Sequence, residues 1–536
     1  SLLPFEGNPG FFFINPAGVL LGEGAAIDVP GAFHVSTANY LQFADGGRLH
    51  AELGQASSFS SAAPEAFGFL GTSRVPLSLR DGAVIAPNAL QASSLVGGDV
   101  SVDSALLVGS GAIRVAAVGA QAAEVPVAAD RAAPALSGLL SISNGGLIGI
   151  SNLGSADAGP IRIDAGDMTL SGESSISSFT QAGSSGQGAP IILRASGSLS
   201  MEGFSNLYAK AAAAGRAGHI SVAARDILLG SGAYLEGGTA AGSSGGGGDI
   251  VLRASRSLSL ADGASIISST EGSGQGGAVD IGAASATLSG DAYIANAAFA
   301  GSGDAGDIRL HTSGDLLLDS GGELLAYTTA EGRSGQIKVS AANISLGFGS
   351  SISNAAVGPA ARAGGIALTA SGALSLREGA SLSTVGLSGG HAGSIAVTAR
   401  QAALEGGSFI SSGSLDANGS GGNVQISASG AISLGRDSYI SANTFTDADA
   451  GTITLQGQDI SLDGAQLSST AFDGRGNAGS IELLASRRVD IAGGSSIGSA
   501  TLTPGQAGQI RVTAADFKLS GPGLIYTSSG AALAGH

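Results

Sequence analysis

The sequence predicts an all-β solenoid, in which short parallel strands wind into right-handed coils of about 29 residues. Two facts of composition and one of spacing predict it. Of 536 residues 90 are Gly, and 43% are hydrophobic while only 4% are aromatic. The apolar share is therefore mostly small and aliphatic, which fits a narrow core rather than a wide globular one. The spacing is stricter still. A pattern of Gly, any residue, then Ile or Val recurs at Ile161, Ile191, Ile220, Ile250, Val279, Ile308, Ile337, Ile366, Ile395, Val424, Ile453, Ile481 and Ile510, at intervals of 28 to 30 residues. Fixed-period self-similarity of this kind is the signature of stacked repeats.

Each unit reads as three short strands. In one, Gly365-Ile366-Ala367-Leu368-Thr369 is followed by Ala373-Leu374-Ser375-Leu376 and then by Ser381-Leu382-Ser383. Alternation with period two over three to five residues, bounded by Gly, Ser, Asn and Asp, indicates half-buried strands and no amphipathic helix. The second strand returns as Leu258/Leu260, Ile344/Leu346, Ile432/Leu434 and Ile460/Leu462. The third is expected to turn one aliphatic inward, at Ile266, Ile294, Leu325, Ile352, Leu382, Ile410, Ile440, Leu467, Ile497 and Ile525. One triplet cannot bury its apolar face alone, but stacking pairs every strand with its equivalent one unit on. Three parallel sheets then enclose the core, a right-handed parallel β-helix of the pectin-lyase-like kind. The connectors, such as Ala241 to Gly248 and Leu415 to Gly422, vary most at one corner, where Gly is expected to supply positive φ in a row of flexible loops.

Charge and composition exclude several functions. With 24 Lys and Arg against 41 Asp and Glu the net charge is -17, and no basic cluster of the kind that binds nucleic acid is present. The absence of Cys removes disulfides, thiolate metal sites and cysteine nucleophiles, and suits passage through an oxidising compartment. No uninterrupted apolar stretch is long enough to span a bilayer as a helix. The six His residues, His34, His50, His219, His311, His391 and His536, show no ligand spacing and are expected to face solvent or sit in turns. No metal site or cofactor is expected.

Residues 1 to 128 depart from the 29-residue spacing but still read as strands and turns. Phe11-Phe12-Phe13-Ile14 runs into Asn15-Pro16-Ala17-Gly18, with Asn, Pro and Gly where a type I turn wants them. The blocks FFFINPAGVLLGEGAAIDVPGAFHVSTANYLQFADG (11–46), AFGFLG (66–71) and SLVGGDVSVD (94–103) resemble the secretion domain of two-partner secretion exoproteins of the filamentous-haemagglutinin type. The resemblance covers about the first quarter of the chain. It implies a secretion domain over 1–128, incomplete at its N-terminus, transition coils over 129–158, and a β-helical repeat rod over 159–536, truncated at its C-terminus. In that family the turn normally reads Asn-Pro-Asn-Gly, so Ala17 lacks a side-chain amide. The resemblance further implies export through the periplasm of a Gram-negative bacterium, across a dedicated outer-membrane β-barrel transporter, to the cell surface or medium. There the chain would act as an adhesin rod. Asn15, Pro16, Ala17 and Gly18 are candidates for recognition by the transporter, and turn chemistry alone also accounts for them.

Other motifs have bland readings. Acidic residues precede Gly at Glu202-Gly203, Asp262-Gly263, Glu378-Gly379, Glu405-Gly406 and Asp463-Gly464, which is ordinary turn chemistry. A carbohydrate-active β-helix enzyme, the alternative function, needs a local cluster of acids and bases, and none is legible, so no catalytic residue is named and the chain is not expected to be an enzyme. A second alternative is a carrier rod for a C-terminal toxin domain. Near the end, Ala534-Gly535-His536 copies the Ala217-Gly218-His219 that introduces Ile220. A fourteenth coil is therefore expected to follow, and the open edge of the last strands is expected to favour end-to-end self-association.

Overall fold

A computed structural model describes residues 10–530 except 28, 30, 72, 88–90, 300, 330, 416–418 and 503. Among the described residues all regular structure is β and none is helical. The strands stack in parallel about 29 residues apart as a β-solenoid of about thirteen turns. The chain divides into two compact units, Ser1–Ser257 and Leu258–His536. Ala534, Gly535 and His536 lie outside the described residues.

In the first unit, Phe11–Ile14, Phe33–Ser36, Ser93–Gly97, Ile113–Ala117, Ile161–Ala165, Ile191–Ala195 and Ile220–Leu229 form one parallel ladder. Among the described residues this ladder starts at Phe11, four rungs before the regular 29-residue turns set in at Ile161, and it crosses residues 129–158 unbroken. The irregular spacing at the N-terminus comes from two insertions and from two coils, Phe11 to Phe33 and Ser93 to Ile113, that are shorter than the regular repeat. Two chain intervals, Phe33 to Ser93 and Ile113 to Ile161, leave the coil at the corner after the first strand. They contribute Tyr40–Phe43, Arg48–His50, Pro64–Leu70 and Ala122–Pro126 to a four-stranded antiparallel sheet. This sheet covers the outer face of the first coils around Leu41, Phe67, Phe69, Val96, Val118, Val125 and Leu136.

The second unit shows the repeat in its plainest form. The anchors Val279, Ile308, Ile337, Ile366, Ile395, Val424, Ile453, Ile481 and Ile510 pair rung by rung, and all except the last are fully buried. The first and second strands form a single sheet rather than the two expected. In some coils they are one continuous strand with no turn between them, as in Val279–Leu288 and Ile481–Ala492. The turn before the third strand is sharper. It places two successive residues in the left-handed region, as at Asp262-Gly263 and Glu378-Gly379, so these acidic residues are turn formers. The inward aliphatic of the coil at 323–328 is Leu324, fully buried, and not the half-exposed Leu325. Register decides it, since Ile294, Leu324 and Ile352 are ladder partners and the adjacent Leu offers the same side chain one residue later.

The connectors are not simply a row of loops held by positive φ. Some tip glycines are left-handed, for example Gly242 and Gly389, but the glycine two residues before an anchor, a place taken by Ala189 before Ile191, is not. A Cβ at Gly335, Gly364, Gly393 or Gly422 would stand well under 3.0 Å from the carbonyl oxygen of the preceding coil's glycine. Close approach of backbones is the reason for Gly there. Inside the coil a buried polar column satisfies these crowded backbones. Asn354 Nδ2 donates to the Gly335 carbonyl at 2.7 Å, Ser412 Oγ to Gly393 at 2.8 Å and Ser469 Oγ to Gly451 at 2.7 Å. Outside, Asp304 accepts from the Arg333 amide at 2.7 Å and Asn423 from that of Thr452 at 2.9 Å, so one connector's side chain holds the next connector.

Candidate functional site

The four predicted residues fall in one turn of the first unit, between Phe11–Ile14 and Val19–Leu21. The Gly18 amide donates to the Asn15 carbonyl at 3.1 Å and closes a β-turn over Pro16 and Ala17. The Asn15 side chain bonds within the same turn: its Oδ1 accepts from the Ala17 amide at 3.0 Å and its Nδ2 donates to the Gly18 carbonyl at 2.9 Å. Gly18 has φ +117°, a conformation costly for any other residue. Ala17 is exposed and Pro16 and Asn15 are half-buried, so this turn can offer a partner an apolar ring, a methyl group and the second N–H of the Asn15 amide. Beside Pro16 a small cleft of about 20 Å³ is lined by Thr37, Asn39, Phe69 and Val75 among others.

Sequence reasoning missed a buried polar column behind this turn. Phe12, His34, Ser94, Arg114 and Arg162 are ladder partners on the outer face of successive coils. Alternation alone puts them in solvent, and the antiparallel sheet covers them. His34 is thus 4% exposed rather than solvent-facing. Its ring stacks on Phe12 at 4.3 Å and its Nδ1 lies 2.8 Å from Ser94 Oγ. Burial holds the imidazole pKa down at about 4. A Ser–His pair suggests a nucleophile and its base, but Ser94 is itself 1% exposed and no substrate reaches it.

Farther along the column Arg114 is fully buried. Its Nη1 donates to the carbonyls of Ala128 and Arg131 at 2.9 and 2.8 Å, and its Nη2 to Asp164 at 3.2 Å. Arg162 Nε donates to the Ala129 carbonyl at 2.7 Å. The two guanidiniums thereby clamp the returning limb of the second insertion to the coil. Arg114 Nε and Arg162 Nη1 have no hydrogen-bond partner. Burial lowers the Arg114 pKa to about 10 in spite of Asp164, and burial raises that of Asp164 in spite of Arg114 and Arg162. Desolvation therefore outweighs attraction in this cluster.

The chain matches no family model, no curated protein and no solved structure.

Elsewhere, the second unit carries a shallow groove of about 780 Å³ on the outer face of its second strands, lined by Asp315, Asp319, Asn343, Arg377 and Glu378 among others. Asp315 is held by Asn343 Nδ2 at 2.8 Å and Glu378 belongs to a left-handed turn. Among the described residues no three His, Asp or Glu side chains are placed to hold a metal ion. Of the other histidines, His311 is exposed and bonds Ser340, and His391 is half-buried against Ser420.

Proposed function

We propose that the chain is an exported passenger of the two-partner secretion type, a surface or released adhesin-like solenoid and not an enzyme. One observation carries the reading. The three blocks that resemble the secretion domain lie far apart in sequence but are tied together by the Ser36-Thr37-Ala38-Asn39 run of the first block. Ser36 Oγ donates to the Val96 carbonyl at 2.8 Å and Thr37 Oγ1 accepts from the Gly98 amide at 3.2 Å, both in the third block. Asn39 Oδ1 accepts from the Leu70 amide at 2.9 Å in the second. The blocks behave as one unit that caps the first coils with an antiparallel sheet.

The solenoid supports the same reading by another route. Each coil contacts its neighbours, so coils can add one at a time to a capped start as the chain emerges from a narrow pore. In this proposal the cap is read by an outer-membrane β-barrel transporter, and the Asn15 to Gly18 turn is part of what is read. The adhesive surface belongs to the repeats. Asn15→Ala and Pro16→Ala test the recognition step. Export of each variant should fall several-fold while the purified protein keeps its β circular dichroism and melting point. Undiminished export would remove the turn from the recognition surface, and parallel loss of export and fold would make it structural only.

A further inference from the structure

The outer face of the third strands in the second unit carries an unbroken apolar run, where the same column of the first unit has a single Leu, Leu153. Seven residues from the start of each third strand, six consecutive coils present Val357, Leu387, Leu415, Phe445, Phe472 and Leu502. Val357 and Leu387 are ladder partners, and backbone hydrogen bonds of 2.8 to 3.0 Å carry the column on through Leu415, Phe445, Phe472 and Leu502. Leu415, Phe445 and Leu502 are 49%, 41% and 65% exposed, and the Phe445 and Phe472 rings stack at 4.5 Å. In the first unit the column reads Leu153, Gln181, Ala212 and Ala240, and the first coils of the second unit continue it as Glu271, Phe299 and Thr329, so the unbroken apolar run starts at Val357. The strips that carry the ridge, 351–357, 381–387, 409–415, 439–445, 466–472 and 496–502, contain no Asp, Glu, Lys or Arg. At the chain's mean of 12% charged residues they would hold several. Ser353, Ser383, Ser411, Ser441 and Ser468 form a low polar column between the ridge and the stacked rings of Phe409 and Tyr439, 4.8 Å apart at the opposite edge.

We infer that this face is an interface between two copies of the chain packed side by side and antiparallel. Three arguments select a second copy as the occupant. A ridge that steps by one coil, about 4.8 Å, needs a partner with the same step, and another copy supplies it. With a net charge of -17, two copies repel over most of their surface, and an uncharged face is where they can meet. Symmetry then fixes the direction. A two-fold axis across the strips lays ridge on ridge only when the copies run antiparallel, and each pair then sets a smaller side chain against a larger one: Val357 opposite Leu502, Leu387 opposite Phe472, Leu415 opposite Phe445.

The area sets the strength. Six coils span about 24 Å and a seven-residue strip roughly 20 Å, so each copy covers roughly 500 Å², below the ~800 Å² per partner of a standard interface. The dimer is therefore weak and concentration-dependent.

Sedimentation of the full chain across a concentration series tests this, with Leu415→Lys/Phe445→Lys against the first-unit control Leu228→Lys. Leu415→Ser/Phe445→Ser serves as a milder pair, and circular dichroism checks the fold of each. Nitroxides on Ser351→Cys and, separately, on Ser496→Cys read the geometry, since the chain has no other Cys. The expected result is reversible dimerisation, weakened at least tenfold by either ridge pair and unchanged by the control. Both labels should report intermolecular distances of roughly 25 Å. A monomer at all concentrations, self-association indifferent to the ridge, or short distances at both labels would overturn the proposal. So would binding of the ridge to phosphatidylcholine vesicles without dimerisation.

Discussion

Replacing Asp164 by Ala removes the buried carboxylate that faces the guanidiniums of Arg114 and Arg162. The side chains of Arg114 and Asp164 are 0% and 4% exposed, so water screens little of the loss. Breaking one side of such a pair costs about 3–5 kcal/mol, because the remaining charge stays buried without compensation. The damage should be local. Arg114 and Arg162 hold the carbonyls of residues 128, 129 and 131, so the cover sheet should loosen while distal coils keep their nearest-neighbour stacking. Native-state hydrogen exchange reads this directly: amides of Ala122–Pro126 and Pro64–Leu70 should lose about 3 kcal/mol of protection, and those of Ile366–Ala370 none. Exchanging the whole cluster for apolar residues, Arg114→Met/Arg162→Met/Asp164→Leu, should come out near neutral, since both charges already titrate against burial. Three lost hydrogen bonds to carbonyls, about 1 kcal/mol each, offset the gain in desolvation. A loss below 1 kcal/mol for Asp164→Ala, or equal loss of protection along the whole chain, would refute this reasoning.

Other perturbations separate inside from outside. His34 titrates near 4 when folded against 6.5 when unfolded, so the unfolded state binds the proton more readily and stability falls as pH drops from 6.5 toward 4. The full loss is about 3 kcal/mol, should appear as acid-loosened exchange in the cover sheet, and should vanish in His34→Gln. Ile366→Asp buries an unpaired charge between Ile337 and Ile395 and should cost more than 4 kcal/mol, read as a collapse of the urea midpoint. Ser388→Asp, at an exposed left-handed position, should shift that midpoint hardly at all. Gly393→Ala should cost well over 2 kcal/mol through its clash with Gly364. Gly379→Ala, left-handed with open space around it, should cost about 1 kcal/mol, and equal effects would remove the distinction between close approach and dihedral preference.

The repeat was legible because burial repeats at one residue per coil. Ile337, Ile366 and Ile395 announce the coil length, the strand alternation and the core at once. Leu325 misled because adjacent leucines in Glu323–Thr328 satisfy the same period and only the ladder chooses between them. Glycine composition shows that glycine is required at Gly364 and Gly393. It does not show whether a dihedral or a neighbouring backbone requires it. The candidate turn was readable from Asn15, Pro16 and Gly18, since local chemistry specifies a turn. The column of His34, Ser94, Arg114 and Arg162 was not. Its members are brought together by register across a chain separation that reaches from His34 to Arg162 and are buried by an antiparallel sheet whose strands come from two insertions, neither of which leaves a periodic signal.

The claim that this solenoid is a partner-exported passenger is tested most directly by expressing its complete gene in a Gram-negative host with and without the cognate outer-membrane barrel, and measuring protease-accessible chain outside the cell. The account predicts surface-exposed or released protein only when the barrel is present, with the chain otherwise held in the periplasm and degraded. Equal appearance outside the cell without any such barrel would contradict it.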